Sequence, residues 1–380
     1  MKINFLSRDL GALLCIVILM LLSSCGDDMG QGNNQHDNPY AITCNVVAPV
    51  QRSMIENDSM LQVACTDGHK AIGLWSAYEL DGVLVKNVLG NEHNDVSLIY
   101  NEATEWDNYQ GWSYGPDAAM WLMGAKYTFN AYYPMHAVSV VSSSSISTFV
   151  VEYNTELYQE DLMMAYSYVD TNLPTFKLGV PVTLNMLHTL SALRFRFSFM
   201  DSDDATYEDS DALTAFWLEN IVSGRGLATT GMLAFGAEDT DGTMNGERMQ
   251  WYYQDYPEPS TSAQTRKIFP WEDAQGVAFW STDTQRNMAV AYTTNSDGAQ
   301  KYAGCNGYVM VIPQEIDDSV VMCFSLKSTG NLVHRVALPK KKFEPGMRYT
   351  YDIRFGRTNV DVALSIADWN ELKSTQDIPL

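Results

Sequence analysis

The chain has 380 residues, with 46 acidic side chains against 24 basic ones and a formal net charge of -22. So acidic a surface, with no basic patch to offset it, repels phosphate backbones and excludes nucleic acid as a partner. The length exceeds what one core comfortably fills, which sets two domains as the expectation.

At the N-terminus, Lys2 and Arg8 flank the start of an apolar run from Leu10 to Leu22. That run is shorter than the ~20 residues of a permanent membrane-spanning helix, so residues 1–24 read as an export signal. It ends in Leu22-Ser23-Ser24-Cys25, the layout of a bacterial lipoprotein lipobox. There, small residues admit the signal peptidase and the cysteine thiol accepts diacylglycerol. Cys25 is therefore the expected lipidation site; an ordinary secretory signal with a chance cysteine is the bland alternative. Gly26-Asp27-Asp28 follows, similar to the surface-export signal of Bacteroidetes lipoproteins. The polar stretch MGQGNNQHDN behind it lacks the apolar side chains to fold, so residues 25–40 read as a flexible tether. The expected location is the cell outer membrane, lipid-anchored and facing outward, with the periplasm as the alternative. Removing 24 residues leaves 356 and takes away Lys2, Arg8 and Asp9, which moves the net charge to -23.

Further along, residues 112–134 read WSYGPDAAMWLMGAKYTFNAYYP and crowd seven aromatic rings together. Two readings compete. Trp106, Trp112 and Trp121 could form a platform on which the apolar faces of sugars stack, or the rings are inward-facing residues of a β-sandwich. Tyr127, Phe129 and Ala131 alternate onto one strand face, and Pro134 stops the strand because it cannot donate to a ladder. Each ring so buried adds roughly 1.5 to 3 kcal/mol to a core.

Leu193 to Phe199 alternates strictly and predicts a strand. Asp201 to Asp211 (DSDDATYEDSD) is a carboxylate-rich break whose self-repulsion favours solvent, and it marks the expected domain boundary. A calcium loop is the alternative, but the spacing is not that of an EF-hand and its central glycine is missing. The same reading applies to Glu238 through Gly242. Tyr308 to Ile312 is apolar throughout, as in a strand covered on both faces; strands are also predicted at 320–326, 332–338 and 349–355. Short strands between turns, without recurring helical patterns, make the fold class all-β, built of antiparallel sandwiches. The expected domains span 41–200 and 201–380.

Chemistry is hard to find in this sequence. HExxH, GxxxxGK[ST] and GxGxxG are absent, and the histidines at 36, 69, 93, 136, 188 and 334 have no ligand spacing. His188 precedes a core strand and reads as a buried histidine satisfied by the backbone rather than a catalytic one. No enzyme, metal site or cofactor is expected. Cys44, Cys65, Cys305 and Cys323 remain after processing, with no CxxC pair. The compartment permits disulfides, buried free thiols are an equal reading, and the pairing stays open.

Several segments taken together resemble the fimbrillin family of Bacteroidales, the pilins and pilin-like lipoproteins of type V fimbriae. They are Tyr127 to Pro134 (YTFNAYYP), Asp161 to Ala165 (DLMMA) and Leu187 to Phe195 (LHTLSALRF). Val311 to Gln314 (VIPQ), Glu344 to Tyr351 (EPGMRYTY) and Asp368-Trp369 follow in order. The resemblance implies two tandem transthyretin-like sandwiches, and it makes the crowded aromatics architectural. It also implies a structural or adhesive subunit whose partners are other fimbrial subunits, joined by strand addition once a protease removes the lipidated N-terminal segment. A non-polymerising surface glycan-binding lipoprotein is the alternative. Arg52, in APVQRSMIEN, is the only arginine between Arg8 and Arg194 and directly follows the apolar stretch 41–50. Cleavage there would begin the chain at Ser53; the alternative is a solvent-facing arginine in a turn. A disulfide between Cys44 and Cys65 would tether the cut strand and defeat this scheme. The tail after Trp369 is too polar to serve as a donor segment, whereas Val360 to Ile366 alternates well but fits the domain's own sheet.

Overall fold

The structure, a computed structural model, describes residues 38–49, 57–66, 70–86, 89, 96–102, 110–114, 119–142, 149–199, 212–235, 249–261, 266–278, 288–294, 300–303, 308–326, 330, 332–355 and 360–368. In chain order the elements are β1 Cys44–Val47, helix α1 Asp58–Thr66, β2 Ile72–Leu80, β3 Val83–Lys86, β4 Val96–Asn101, β5 Gly111–Ser113 and β6 Lys126–Tyr133. A 3-10 turn at Met135–Ala137 precedes β7 Ser139–Ser142, β8 Phe149–Asn154, β9 Met163–Asp170, β10 Val182–Asn185, β11 Leu187–His188 and β12 Ser191–Phe199. Then come β13 Ala212–Asn220, β14 Thr230–Phe235, β15 Gln250–Asp255, β16 Ile268–Ala278, β17 Met288–Thr294, β18 Gln300–Ala303 and β19 Val309–Val311. The last are β20 Glu315–Ile316, β21 Val320–Leu326, β22 Val333–Ala337, β23 Lys341–Lys342, β24 Met347–Phe355 and β25 Val360–Asp368.

The N-terminal part is built on a sheet in the order β11-β9-β6-β2-β4-β5, with β3 added to β2. Both its faces are covered. Ile72, Leu74, Tyr127, Phe129, Ala131 and Met163 enter one core, while Trp75, Ala77, Tyr132, Met164 and Tyr166 enter another. That is why the run Tyr127 to Tyr133 shows so little polar alternation: a strand with two buried faces needs apolar residues on each. Gly73 permits the close approach of β2 to the neighbouring ring, since a Cβ there would lie 2.1 Å from Tyr132 Cζ. The first core is closed by α1 and by the pair β1–β10; the second by the sheet β15-β14-β8-β7, through Phe149, Val151, Leu233 and Phe235.

The C-terminal part is a sandwich. One sheet runs β18-β17-β12-β24-β25, with β19 on β12, and the other runs β16-β13-β21-β22. Between them Phe195 stacks on Tyr351 at 5.5 Å and packs against Phe216 at 4.8 Å, amid Leu218, Phe324 and Ile353. The strands expected at 193–199, 320–326, 332–338 and 349–355 are all strands here. In β19, Val309 and Val311 face this core and Met310 and neighbouring Ile312 face the other, so that strand is covered on both sides as its composition required.

Three features depart from the expectation. Pairing is antiparallel except for β1–β10 and β12–β24, which run parallel. Helix α1 forms where none was expected: Asn57 Oδ1 accepts a hydrogen bond from Met60 N at 3.0 Å, and Leu61 and Cys65 are buried one turn apart. Sheet pairing also crosses residue 200 in both directions. β12, ahead of it, contributes Leu193 and Phe195 to the C-terminal sandwich, and β14, beyond it, pairs with β8. The acidic stretches 201–211 and 238–242 lie outside the described residues.

Buried amides hold the two parts together. Gln159 accepts from Met310 N at 2.8 Å and donates to Met310 O at 3.0 Å and Thr155 O at 2.5 Å. Gln314 does the same for Ala228, accepting from its N at 2.7 Å and donating to its O at 2.9 Å. Each amide side chain stands in for a strand, satisfying peptide groups that burial would otherwise leave unpaired.

Candidate functional site

Residues 42–48 have period-two burial: Ile42, Cys44, Val46 and Ala48 point inward, Asn45 is exposed, and Thr43 and Val47 are half-buried; Ala41 ahead of them is buried as well. The inward set packs with Leu61 and Cys65 of α1, Trp112, Tyr114 and Trp121, and Val182, Leu184 and Met186. Backbone bonds hold both edges of this segment. On one side β1 pairs in parallel with β10, Cys44 opposite Val182 and Val46 opposite Leu184. Val182 N donates to Thr43 O at 2.8 Å and Met186 N to Val47 O at 2.9 Å. On the other side Ile42 N donates to Ala119 O at 2.8 Å and Trp121 N to Tyr40 O at 3.0 Å. From within the core, the Tyr114 hydroxyl donates to Ile42 O at 2.6 Å. Where the segment leaves, Ala48 N donates to Asp58 Oδ1 at 2.6 Å.

The segment is thus an inserted strand. Its side chains fill a groove through hydrophobic contact, and its peptide groups pair with β10 over four residues on one edge and make an isolated bridge, Ala41 to Met120, on the other. Withdrawing it together with Tyr40 would strip Ala119 O, Trp121 N, Val182 N, Met186 N and the Tyr114 hydroxyl of their partners in one step. Arg52 and Ser53 fall between β1 and α1 in sequence, outside the described residues. Cys25 also lies outside them.

Cys44 and Cys65 stand in the same core as free thiols, so no covalent bond between them spans Arg52. Burial pushes both up to about 12. Cys323 is also buried and free, and Cys305 is outside the described residues.

The tryptophans singled out for sugar stacking are differently placed. Trp112 is 4% exposed and meets Tyr100 edge-on at 5.3 Å. Trp121 is 7% exposed and meets Tyr127, Phe129 and Phe176 edge-on at 4.8, 6.0 and 5.2 Å. Rings packed this way have no free face for a pyranose. Trp106 is outside the described residues. Among the described residues the most exposed of the Phe, Trp and Tyr rings are Tyr40, Tyr252 and Tyr253.

His188 is buried and has a carboxylate partner: Nδ1 lies 3.0 Å from Asp161 Oδ1 and 2.9 Å from Oδ2. Thr189 reinforces the junction by donating from N and Oγ1 to Leu162 O at 3.0 and 2.8 Å. The pair joins β11 to the start of β9, which accounts structurally for two segments that look like family motifs. Among the described residues no group of three or more His, Cys, Asp or Glu side chains is gathered for a metal.

An all-β protein with a noncovalently seated N-terminal strand is the class that fold and site define. The family model for fimbrillin-like proteins matches residues 83–369, and the chain belongs to that family. Membership makes it a fimbrial or adhesion-type protein. No curated protein matches the sequence. Among solved structures it is similar to a fimbrial protein from Bacteroides vulgatus, with 13% identity over 87% of this chain and 99% of that one and a TM-score of 0.49. It is also similar to the tip fimbrial protein Mfa3 from Porphyromonas gingivalis, with 7% identity over 79% of this chain and 95% of that one and a TM-score of 0.31.

Proposed function

We infer that the chain is a lipid-anchored, surface-exposed subunit of fimbriae, structural or adhesive, which joins other subunits by strand addition. In this reading Cys25 carries the lipid and a protease cuts between Arg52 and Ser53. The segment 41–48 then leaves, and an extended strand from a neighbouring subunit replaces it. The observation that supports it is the seating of β1: alternate buried side chains, a ladder with β10 on one edge and a bridge to Met120 on the other, and no disulfide to the body. A segment held in this way is exchangeable for another of the same pattern. β25 pairs with β24 from Val360 through Asp368, so it is already committed within its own sheet and is not free to act as a donor. That weakens the case for a shaft pilin, and a tip, anchor or accessory subunit that keeps its lipid is the alternative place in the fimbria. The test is the N-terminal mass of the protein in sheared filaments against the membrane fraction, with Ser53 expected as the first residue in filaments.

A second reading, a non-polymerising glycan-binding lipoprotein, draws on the exposed rings of Tyr252 and Tyr253 rather than on Trp112 and Trp121. Tyr253 is held in place by donating to Pro313 O at 3.0 Å. Polysaccharide binding lost on Tyr252→Ala, with thermal stability retained, would favour it.

A further inference from the structure

Three loops converge where the chain enters the fold, and together they leave an apolar end on an acidic protein. Residues 38–43 supply Tyr40, which is 58% exposed. Residues 119–125 supply Met120, Leu122 and Met123, exposed by 45, 42 and 62%. Residues 171–181 supply Leu173, Leu178 and Val180, exposed by 48, 38 and 55%. The loops are neighbours. Ala41 bridges to Met120, and Asn38 Nδ2 reaches Met120 Sδ at 3.5 Å. Thr171 Oγ1 donates to Leu122 O at 3.1 Å and Asn172 Nδ2 to Gly124 O at 3.0 Å. A Cβ on Gly179 would lie 3.7 Å from Pro39 Cβ.

Charge is sparse at this end and sits at its border, where Lys126 and Asp170 face each other across β6 and β9 and Asp170 accepts from Asn172. Across residues 38–43, 119–125 and 171–181 the only charged side chain is Lys177, in a chain of net charge -22. Scattered exposed apolar residues need no explanation, but a cluster from three separate loops, cleared of carboxylates, marks an interaction surface. Leu, Met, Val and Tyr around a single cation is a composition suited to the boundary between headgroups and acyl chains.

The position of the cluster indicates the occupant. Asn38 lies on it, and Cys25 is thirteen residues earlier in the sequence. Thirteen residues span at most about 45 Å, and a relaxed chain spans less. An acylated Cys25 therefore tethers the fold to the membrane by this end. We propose that the end formed by loops 38–43, 119–125 and 171–181 is a lipid-docking surface, which lays its apolar side chains into the membrane that carries the anchor. The proposal rests on the lipid-anchored reading for its geometry, but the contact itself requires no acyl chain. It makes the tether a slack safety line and holds the body upright at the membrane, with the C-terminal sandwich linked to it through Gln159 and Gln314.

The test uses the mature chain from Gly26, unacylated, sedimented with sucrose-loaded vesicles of phosphatidylethanolamine and phosphatidylglycerol. The variant combines Leu122→Ser, Met123→Ser, Leu173→Ser and Leu178→Ser; all four side chains are exposed, so its Tm should match that of the parent. The milder pair Leu173→Ala and Leu178→Ala is read alongside it in case the larger variant misfolds. The parent should partition onto vesicles, the fourfold variant about a hundredfold less, and the pair by an intermediate factor. Added salt should not weaken binding, and by screening the repulsion between the acidic protein and phosphatidylglycerol it should strengthen it. Equal partitioning of parent and both variants overturns the proposal. So does a parent that ignores vesicles but self-associates through the same residues in sedimentation, which would make the occupant a second copy. Mass analysis of the cell-derived chain reads acylation separately. Patch-dependent partitioning by a chain that is not acylated in cells removes the anchor and keeps the docking surface. An acylated chain whose variants partition like the parent keeps the anchor and removes the surface.

Discussion

Removing the segment 41–48 is the perturbation that probes the groove most fully. Ile42 and Val46 are 1% and 3% exposed, and Ala41, Cys44 and Ala48 are also buried. At about 1.5 to 3 kcal/mol for each larger side chain and about 0.8 kcal/mol for each smaller one, the segment's burial stabilises the fold by roughly 5 to 8 kcal/mol. A whole domain has only about 5 to 15 kcal/mol in reserve, so the loss is not a minor adjustment. The orphaned peptide groups at Ala119, Trp121, Val182 and Met186 add to it. A chain beginning at Ser53 should therefore unfold roughly 10 °C or more below the chain from Gly26. Adding a peptide of sequence AITCNVVAPV, residues 41–50, should restore most of that loss in a concentration-dependent way. The same peptide with Ile42 and Val46 replaced by aspartate should restore none. Scanning calorimetry with and without each peptide provides the reading. An unchanged Tm for the shorter chain, or equal rescue by both peptides, would refute the idea that these side chains plug a groove.

Other consequences follow from particular contacts. Asp161→Ala leaves His188 buried without its carboxylate and should cost about 3 kcal/mol in denaturant unfolding, whereas Asp161→Leu with His188→Leu should recover much of it; a cost under half a kcal/mol would mean the pair is not structural. Gln159→Leu removes three hydrogen bonds and strands both polar groups of Met310, for a loss of about 2 to 4 kcal/mol, and Gln159→Glu should lose at least as much, because a buried carboxylate cannot donate to Met310 O or Thr155 O. Burial holds the thiols of Cys44 and Cys65 up to about 12 against an ordinary 9, so the folded state retains protons that the unfolded state gives up. Their contribution is complete below pH 9 and declines as pH rises from there toward 12. Cys44→Ala should accordingly flatten the alkaline limb of the stability curve, and a limb of unchanged slope would contradict the assignment.

Much of the architecture could be read from local pattern. The alternation in Leu193 to Phe199 and in Tyr349 to Phe355 fixes two strands without further information, because side chains on a pleated strand must take opposite faces. The unbroken apolar run Tyr308 to Ile312 announces a strand between two cores, and Val309 and Met310 do face different ones. Trp112 and Trp121 could be read either way, and only burial against Tyr100 and Tyr127 decides for the core. What local pattern could not supply is partnership. The pairing of β1 with β10 joins Cys44 to Val182, and nothing near either residue encodes that register. For the same reason the return of β14 to β8 across residue 200 was not legible; the acidic stretch 201–211 marks a break in composition, whereas sheet membership is set by contacts far apart in sequence. Helix α1 is too short for a clear periodic signal, although Asn57 ahead of it is a good N-cap. The apolar end was hidden too, since Leu122, Leu178 and Tyr40 come together only through tertiary packing.

The central claim is that the N-terminal strand is a removable plug whose loss allows assembly. The measurement that tests it most directly is the intact mass of the N-terminus in sheared surface filaments and, in parallel, in the membrane fraction. A filament form beginning at Ser53, beside a membrane form beginning at acylated Cys25, is the predicted result. A chain that starts at acylated Cys25 in every fraction and never enters filaments would contradict it.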